Sequence, residues 1–213
     1  LDVSERYHRL YTELLMELGK PFLPKCDYWD LKRERIPECE ILKHTSAESV
    51  FIQYHKARML RIESEEFLQF DKVWPGASRT LHLFHLSGWK VVLITLRTDR
   101  KTLGTQLVKL GLNNLFDSNL HGPVNEDQRG ATKMKWISDS GLLKISERAL
   151  LVGDTESDII AGRKLGITTI GVLSGIRSRR ILEYTHPDSI VPDITHLLKI
   201  TGIFDSKRTE STG

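Results

Sequence analysis

A chain of 213 residues, 39% hydrophobic and 28% charged, suits one domain or a core with an inserted subdomain, and it is long enough to bury a real core. The formal charge of +3 is small and the basic residues are dispersed, so charge gives no case for a nucleic-acid or membrane partner; the densest cluster, Arg177, Arg179 and Arg180, is too short to change that. The longest apolar runs are strand-sized, no secretory signal opens the chain, and Cys26 and Cys39 stand apart without CxxC spacing, so the expectation is a cytoplasmic protein with two reduced thiols.

In chain order, the first third has helical periodicity. Ser4 is the expected N-cap of a helix whose apolar stripe runs through Tyr7, Leu10, Tyr11, Leu14, Leu15 and Leu18, with Gly19 as its stop. A linker with Pro21 and Pro24 follows, then a short helix near Tyr28 to Glu34. Thr45 and Glu48 have capping-box spacing ahead of a longer helix through Phe51, Tyr54, Ala57 and Ile62. Strand alternation is absent here, so residues 1–72 are expected to form an all-helical cap subdomain.

From Trp74 helices and strands alternate. Pro75-Gly76 opens a helix that ends at Gly88. Lys90 to Thr95 is a nearly all-apolar strand of the kind covered on both faces. A helix from Asp99 to Leu110 follows, then weak strand signal near Leu120, a helix over Thr132 to Ser138, and a second buried strand over Ala149 to Val152. Next come a helix from Asp158 to Leu165, a strand over Thr168 to Leu173, and a last strand and helix between Ser189 and Ile200. The fold class this predicts is α/β, a doubly wound parallel sheet over residues 73–204, with a polar, disordered tail over 205–213.

Ligands of such sheets bind beyond the carboxyl ends of the strands, which directs attention to Thr95 and to Gly153-Asp154. Asp154 follows an apolar strand directly, and Asp158 comes four residues later. Two hard oxygen ligands with room for water suit Mg²⁺. The structural alternative makes Asp154 a turn residue and Asp158 the partner of Thr155 in a capping box. For Asp158 the two readings balance; for Asp154 the metal reading is preferred.

Thr95 and the N–H groups after it could hold a phosphate oxygen, or Thr95 could be a β-branched strand end. Arg97 is an anion partner or a solvated cation. Lys133, if Thr132 is the N-cap, sits in a first helical turn where a cation costs about 0.3–1 kcal/mol. That would call for a compensating carboxylate or phosphate, although Lys135 competes for the role. The histidines show no metal-binding spacing, and there is no Walker loop, nucleophile elbow or dinucleotide fingerprint.

The strand VVLIT ending at Thr95, then Lys133, then LLVGDTESD resemble, in order and spacing, the second, third and fourth motifs of the haloacid dehalogenase superfamily. Pro75-Gly76 and Ser174-Gly175 are similar to features of phosphoglycolate-phosphatase-type members, which insert a helical cap after the first core strand. The resemblance implies a Rossmann-like core and Mg²⁺-dependent hydrolysis of a small phosphorylated metabolite through an aspartyl-phosphate. It also implies that Thr95 binds phosphate, Lys133 steadies phosphate and nucleophile, Asp154 ligates Mg²⁺, and Asp158 ligates the metal or orients its shell.

The sequence departs from that pattern at the first motif, because no Asp-x-Asp occurs in it. The chain opens on Leu1-Asp2, similar to the tail of that motif, and Leu1 is not Met. The expectation is a natural product that extends upstream, a strand missing between the Lys90 and Ala149 strands, and no activity without it. Two alternatives are a non-catalytic binding module on the same scaffold and a phosphomutase. Substrate identity and oligomeric state do not follow from the sequence.

Overall fold

The computed structural model describes residues 1–122, 128–143 and 148–202. The tail expected over 205–213 lies outside the described residues.

Five α-helices come first: α1 (Ser4–Glu17), α2 (Lys25–Arg33), α3 (Glu38–Lys43), α4 (Phe51–Arg61) and α5 (Glu65–Leu68). The stripe on α1 is the axis of their core. Leu10, Tyr11, Leu14 and Leu15 are buried, and they meet Tyr28, Ile41, Leu42, Tyr54 and Phe67 from the other helices. Tyr11 stacks on Tyr28 with ring centroids 4.2 Å apart, and Tyr54 meets Tyr11 edge-on. Aromatic pairs of this kind contribute about 0.5–1.5 kcal/mol beyond their buried area.

Two capping expectations fail here. Ser4 is the first helical residue rather than the cap, and its N–H donates to Asp2 Oδ1 at 2.9 Å. Thr45 does not cap α4; its hydroxyl donates back to Leu42 O, and Glu48 opens a short 3₁₀ turn over Glu48–Val50. Ser, Thr and Asp near a helix start compete for the same donors, and spacing does not say which one wins.

The cap begins and ends at one point. Asp2 and Lys72 form an antiparallel bridge, with N–H to O distances of 2.8 and 3.0 Å, where the chain enters and leaves the helical unit.

The remainder is α6 (Ala77–Leu86), β1 (Val92–Ile94), α7 (Arg100–Lys109), β2 (Ser118–Leu120), α8 (Arg129–Asp139), β3 (Leu150–Gly153), α9 (Glu156–Lys164), β4 (Thr168–Val172), α10 (Arg179–Glu183), β5 (Ser189–Val191) and α11 (Leu197–Thr201). Every strand pair is parallel. β1 pairs with β2, and β3, β4 and β5 follow in order in a second sheet. Helix α9 returns from β3 to β4, so the crossovers are helical, as parallel pairing requires.

β1 and β3 are not hydrogen-bonded to each other, and each leaves one edge unpaired among the described residues. Both edges line one cleft of about 1690 Å³, with Val92 and Ile94 on one side and Leu150 and Val152 on the other. That edge explains why all three residues of β1 are only half-buried, where the sequence predicts full cover. An unpaired, apolar strand edge is a template for another strand.

Candidate active site at the strand tips

Each candidate side chain is placed by an element that the hydrophobic pattern dictates. β1 ends at Ile94 and delivers Thr95, whose own N–H is already committed to Leu120 O at 3.0 Å. The Thr95 hydroxyl oxygen lies 3.4 Å from the N–H of Arg97 and closes a small turn beyond the strand. β3 ends at Gly153 and delivers Asp154. Thr95, Asp154 and Asp158 all line the cleft between the cap and the strand tips.

Asp154 Oδ2 accepts the N–H of Ile176 at 2.8 Å, so the loop after β4 holds this carboxylate in place. Gly175 approaches so closely that a Cβ there would fall on the Asp154 carboxylate. Gly153 plays the same part for Asp158, whose side chain occupies the space a methyl at 153 would need.

Asp158 is buried and fully engaged. Its Oδ1 lies 2.5 Å from Lys133 Nζ, and its Oδ2 accepts from the Thr155 N–H at 3.2 Å and the Thr155 hydroxyl at 2.6 Å. Of the two readings of Asp158, the structure displays the capping box with Thr155, and the other carboxylate oxygen pairs with Lys133. Lys133 and Asp158 side chains are 7% and 8% exposed, so this ion pair is desolvated.

Lys133 reaches this position differently from the sequence expectation. Helix α8 begins at Arg129, so Lys133 lies in its second turn and the helix-dipole argument does not apply. Its placement follows from Asp158. Lys135, the competitor, pairs at the surface with Asp139 at 2.6 Å.

Among the described residues, Asp154 Oδ1 has no hydrogen-bond donor, and it lies beside a cleft. Among the described residues no group of three or more His, Cys, Asp or Glu could hold a metal ion alone. Mg²⁺ needs no such group. It takes one or two carboxylates and completes its octahedral shell with water and substrate phosphate. The donor set present fits one arm of such a shell, through Asp154.

The cap is tied to the loop that positions Asp154. Arg33, at the end of α2, donates to Leu173 O at 3.0 Å and Gly175 O at 3.1 Å, and Arg33 O accepts from the Ser178 N–H at 3.0 Å. Arg177 donates to Glu156 at 2.8 Å and to Lys32 O at 3.3 Å. The contacts of Arg33, and that of Arg177 with Lys32, join residues at least 140 apart in sequence, and nothing in the sequence beyond a basic cluster signals them. Arg33→Ala should lower the thermal midpoint and speed limited proteolysis of the cap, since it removes two bonds from a charged donor worth about 1.5–3 kcal/mol each. Unchanged cleavage would show that the cap docks without Arg33.

Arg97 is not a solvated cation but pairs with an anion that the chain itself supplies. It is largely buried, 3.1 Å from Asp71 Oδ2. His85 shares a hydrogen bond with Leu115 O at 3.1 Å, a satisfied histidine as its spacing suggested. No described helix is long and apolar enough to cross a membrane.

A HAD-hydrolase-like family model matches residues 130–197, which carry Lys133, Asp154 and Asp158. A phosphoglycolate phosphatase of Vibrio parahaemolyticus is 24% identical over 136 residues, 63% of this chain and 59% of that protein. The pyrophosphatase PpaX of Halalkalibacterium halodurans is 27% identical over 132 residues, 61% of this chain and 60% of that protein. The chain thus spans about three fifths of the length of these relatives in the matched stretch. In fold, it superposes on a haloacid dehalogenase-like hydrolase from Streptococcus pneumoniae with a TM-score of 0.72 at 17% identity, covering 94% of this chain and 92% of that one. The family match over residues 130–197 and the relatives make the chain similar to haloacid dehalogenase-type hydrolases of the phosphoglycolate-phosphatase-like kind, and the solved structures share its fold, a helical cap over a parallel core.

Proposed function

We propose that this protein serves Mg²⁺-dependent hydrolysis of a small phosphate monoester, in the cytoplasm, through an aspartyl-phosphate whose carboxylate is carried on a strand seated between β1 and β3. The observation that carries the reading is that Thr95, Asp154 and Asp158 line one cleft beside two unpaired strand edges, with Lys133 paired to Asp158. A strand in that slot would satisfy both edges and would end level with Thr95 and Asp154.

In this reading the Thr95 hydroxyl donates to a phosphate oxygen. Lys133 brings a positive charge to the phosphate and the attacking carboxylate, and Asp158 keeps it oriented. Asp154 offers its free oxygen to the metal, while Ile176 fixes the other oxygen. Mg²⁺, when bound, neutralises the charge gathering on the phosphoryl oxygens. Positioning and charge neutralisation of this kind are most of what phosphoryl transfer requires.

A second reading is a phosphate-binding module without chemistry. Phosphate release from a panel of monoesters separates the two. It should appear with Mg²⁺ when an upstream strand ending in Asp-x-Asp is joined to the chain, and Asp154→Asn should lower it by about 10²–10³-fold, the usual effect of removing one electrostatic stabiliser. A folded, strand-bearing protein that binds phosphate and releases none would support the binding module.

A further inference from the structure

The cap meets the rest of the chain at two places that differ in kind. At the hinge the backbone crosses beside the Asp2–Lys72 bridge, and Asp71 pairs with Arg6 of α1 at 2.9 Å and with Arg97 of the core at 3.1 Å. At the second contact, residues 32–35 lie against the loop after β4 and the start of α9, held by hydrogen bonds and ion pairs. Arg35 and Arg180 pair with Glu156 and Glu34 there, but they are 69% and 63% exposed, so their pairs are screened and add little. Arg33 is half-buried and Arg177 is 14% exposed, so these two carry the contact. Cap and core keep separate apolar clusters, one drawn from residues 7–70 and the others from residues 73–198. A polar contact of this kind between two parts of one chain is releasable.

What Arg33 holds is the peptide unit that holds Asp154. Its Nη1 donates to Gly175 O at 3.1 Å, and the next N–H along the chain, that of Ile176, donates to Asp154 Oδ2 at 2.8 Å. Gly175 C=O and Ile176 N–H belong to one peptide group, which is planar and, here, trans. The guanidinium therefore grips one side of the plane and the carboxylate grips the other. The second fork of Arg33, Nη2 on Leu173 O at 3.0 Å, fixes the loop two residues earlier. Rotating the plane breaks both bonds at once, so the seating of the cap and the orientation of Asp154 share one degree of freedom. A cation on the carbonyl oxygen also polarises the amide and strengthens its N–H as a donor.

We propose that Arg33 is a positioning residue for the metal arm, and that the Gly175–Ile176 peptide couples seating of the cap to Mg²⁺ binding at Asp154. This rests on the Mg²⁺ reading of Asp154 above and adds how that arm is controlled. Coupling between two sites is reciprocal, so a seated cap strengthens Mg²⁺ binding by the same factor by which Mg²⁺ favours the seated cap.

Two backbone amides report the two ends of the relay. The Ile176 N–H reports the grip on Asp154, and the Ser178 N–H, which donates to Arg33 O at 3.0 Å, reports the seated cap. Amide exchange is followed by NMR and Mg²⁺ affinity by titration calorimetry. Arg33→Ala should speed exchange at Ile176 at least about tenfold, the worth of one hydrogen bond from a charged donor. It should weaken Mg²⁺ binding about 10–100-fold, as the loss of an outer-shell partner does. In the wild type Mg²⁺ should slow exchange at Ser178, and that slowing should shrink in Arg33→Ala. Arg33→Lys keeps the charge and loses the fork, so its values should fall between the two. If Arg33 only seats the cap, Arg33→Ala speeds exchange at Ser178 but leaves Ile176 and the Mg²⁺ affinity alone, which overturns the inference and spares Asp154 as the metal arm. Tighter Mg²⁺ binding in Arg33→Ala, from simple relief of positive charge, overturns it as well. Circular dichroism checks the fold, and if Arg33→Ala is unfolded, unchanged Ile176 exchange and Mg²⁺ affinity in Arg33→Lys overturn the inference in its place. A wild-type protein that binds no Mg²⁺ overturns the inference and the metal reading together.

Discussion

Lys133→Met is expected to destabilise the core by about 3–5 kcal/mol, because it strands Asp158 as a buried carboxylate without its counterion. The pair is nearly dry, and the Thr155 donors already occupy the other carboxylate oxygen. Asp158→Asn should cost a comparable amount by leaving the ammonium group alone. The double variant Lys133→Met/Asp158→Asn should recover part of either loss, since two neutral groups are easier to bury than one unpaired charge. Urea titration of the four proteins closes the cycle. Additive losses, with no recovery in the double variant, would mean that the two side chains do not interact as the structure shows. Lys133 lies on α8 and Asp158 on α9, so both helices should loosen together in hydrogen exchange.

The apolar patterns that set the helices and strands were readable, but the partners that fix the site were not. The α1 stripe, the strand before Thr95 and the strand before Asp154 all follow from periodicity and from the Gly residues that end them. Three short helices, α3, α5 and α10, carry too few residues for a period to emerge. The placement of Thr95 and Asp154 at strand tips, where an α/β sheet binds ligands, was legible from the apolar runs before them. Lys133 was reached through a helix start that proved to lie at Arg129, four residues earlier, and what places it is a carboxylate 25 residues away in sequence. The Arg33 and Arg177 contacts, the Asp71 cluster and the grip of Ile176 on Asp154 are long-range. They depend on how the cap folds back over the strand tips, and no local signal records that. Charge showed the same limit. The small net charge of the whole chain conceals a local surplus of cations gathered under the cap.

Gly175→Ala is the smallest change expected to disable the site. The new methyl would land on the Asp154 carboxylate, so the aspartate or the loop must move. If Asp154 swings away it loses the Ile176 N–H that fixes one oxygen, and the other oxygen, which the proposed function gives to the metal, is no longer held. If the loop moves, Gly175 O and Leu173 O withdraw from Arg33, and the cap loses its tie to the core. Either way the methyl acts on the metal arm or on the cap anchor, and outer-shell changes of this kind typically weaken metal binding about 10–100-fold. Stability should fall by about 1–3 kcal/mol from the overpacking alone. Gly104→Ala, inside α7 with open space around it, adds the same methyl without a collision, and a helix-interior glycine replaced by alanine should be neutral or mildly stabilising. Mg²⁺ titration of the two variants beside the wild type distinguishes a local collision from a general effect of the substitution. An unaltered Mg²⁺ affinity in Gly175→Ala would remove Asp154 as the metal arm, because the collision gives that carboxylate no way to keep its present position unless the loop yields, and a yielding loop must show itself in the cap.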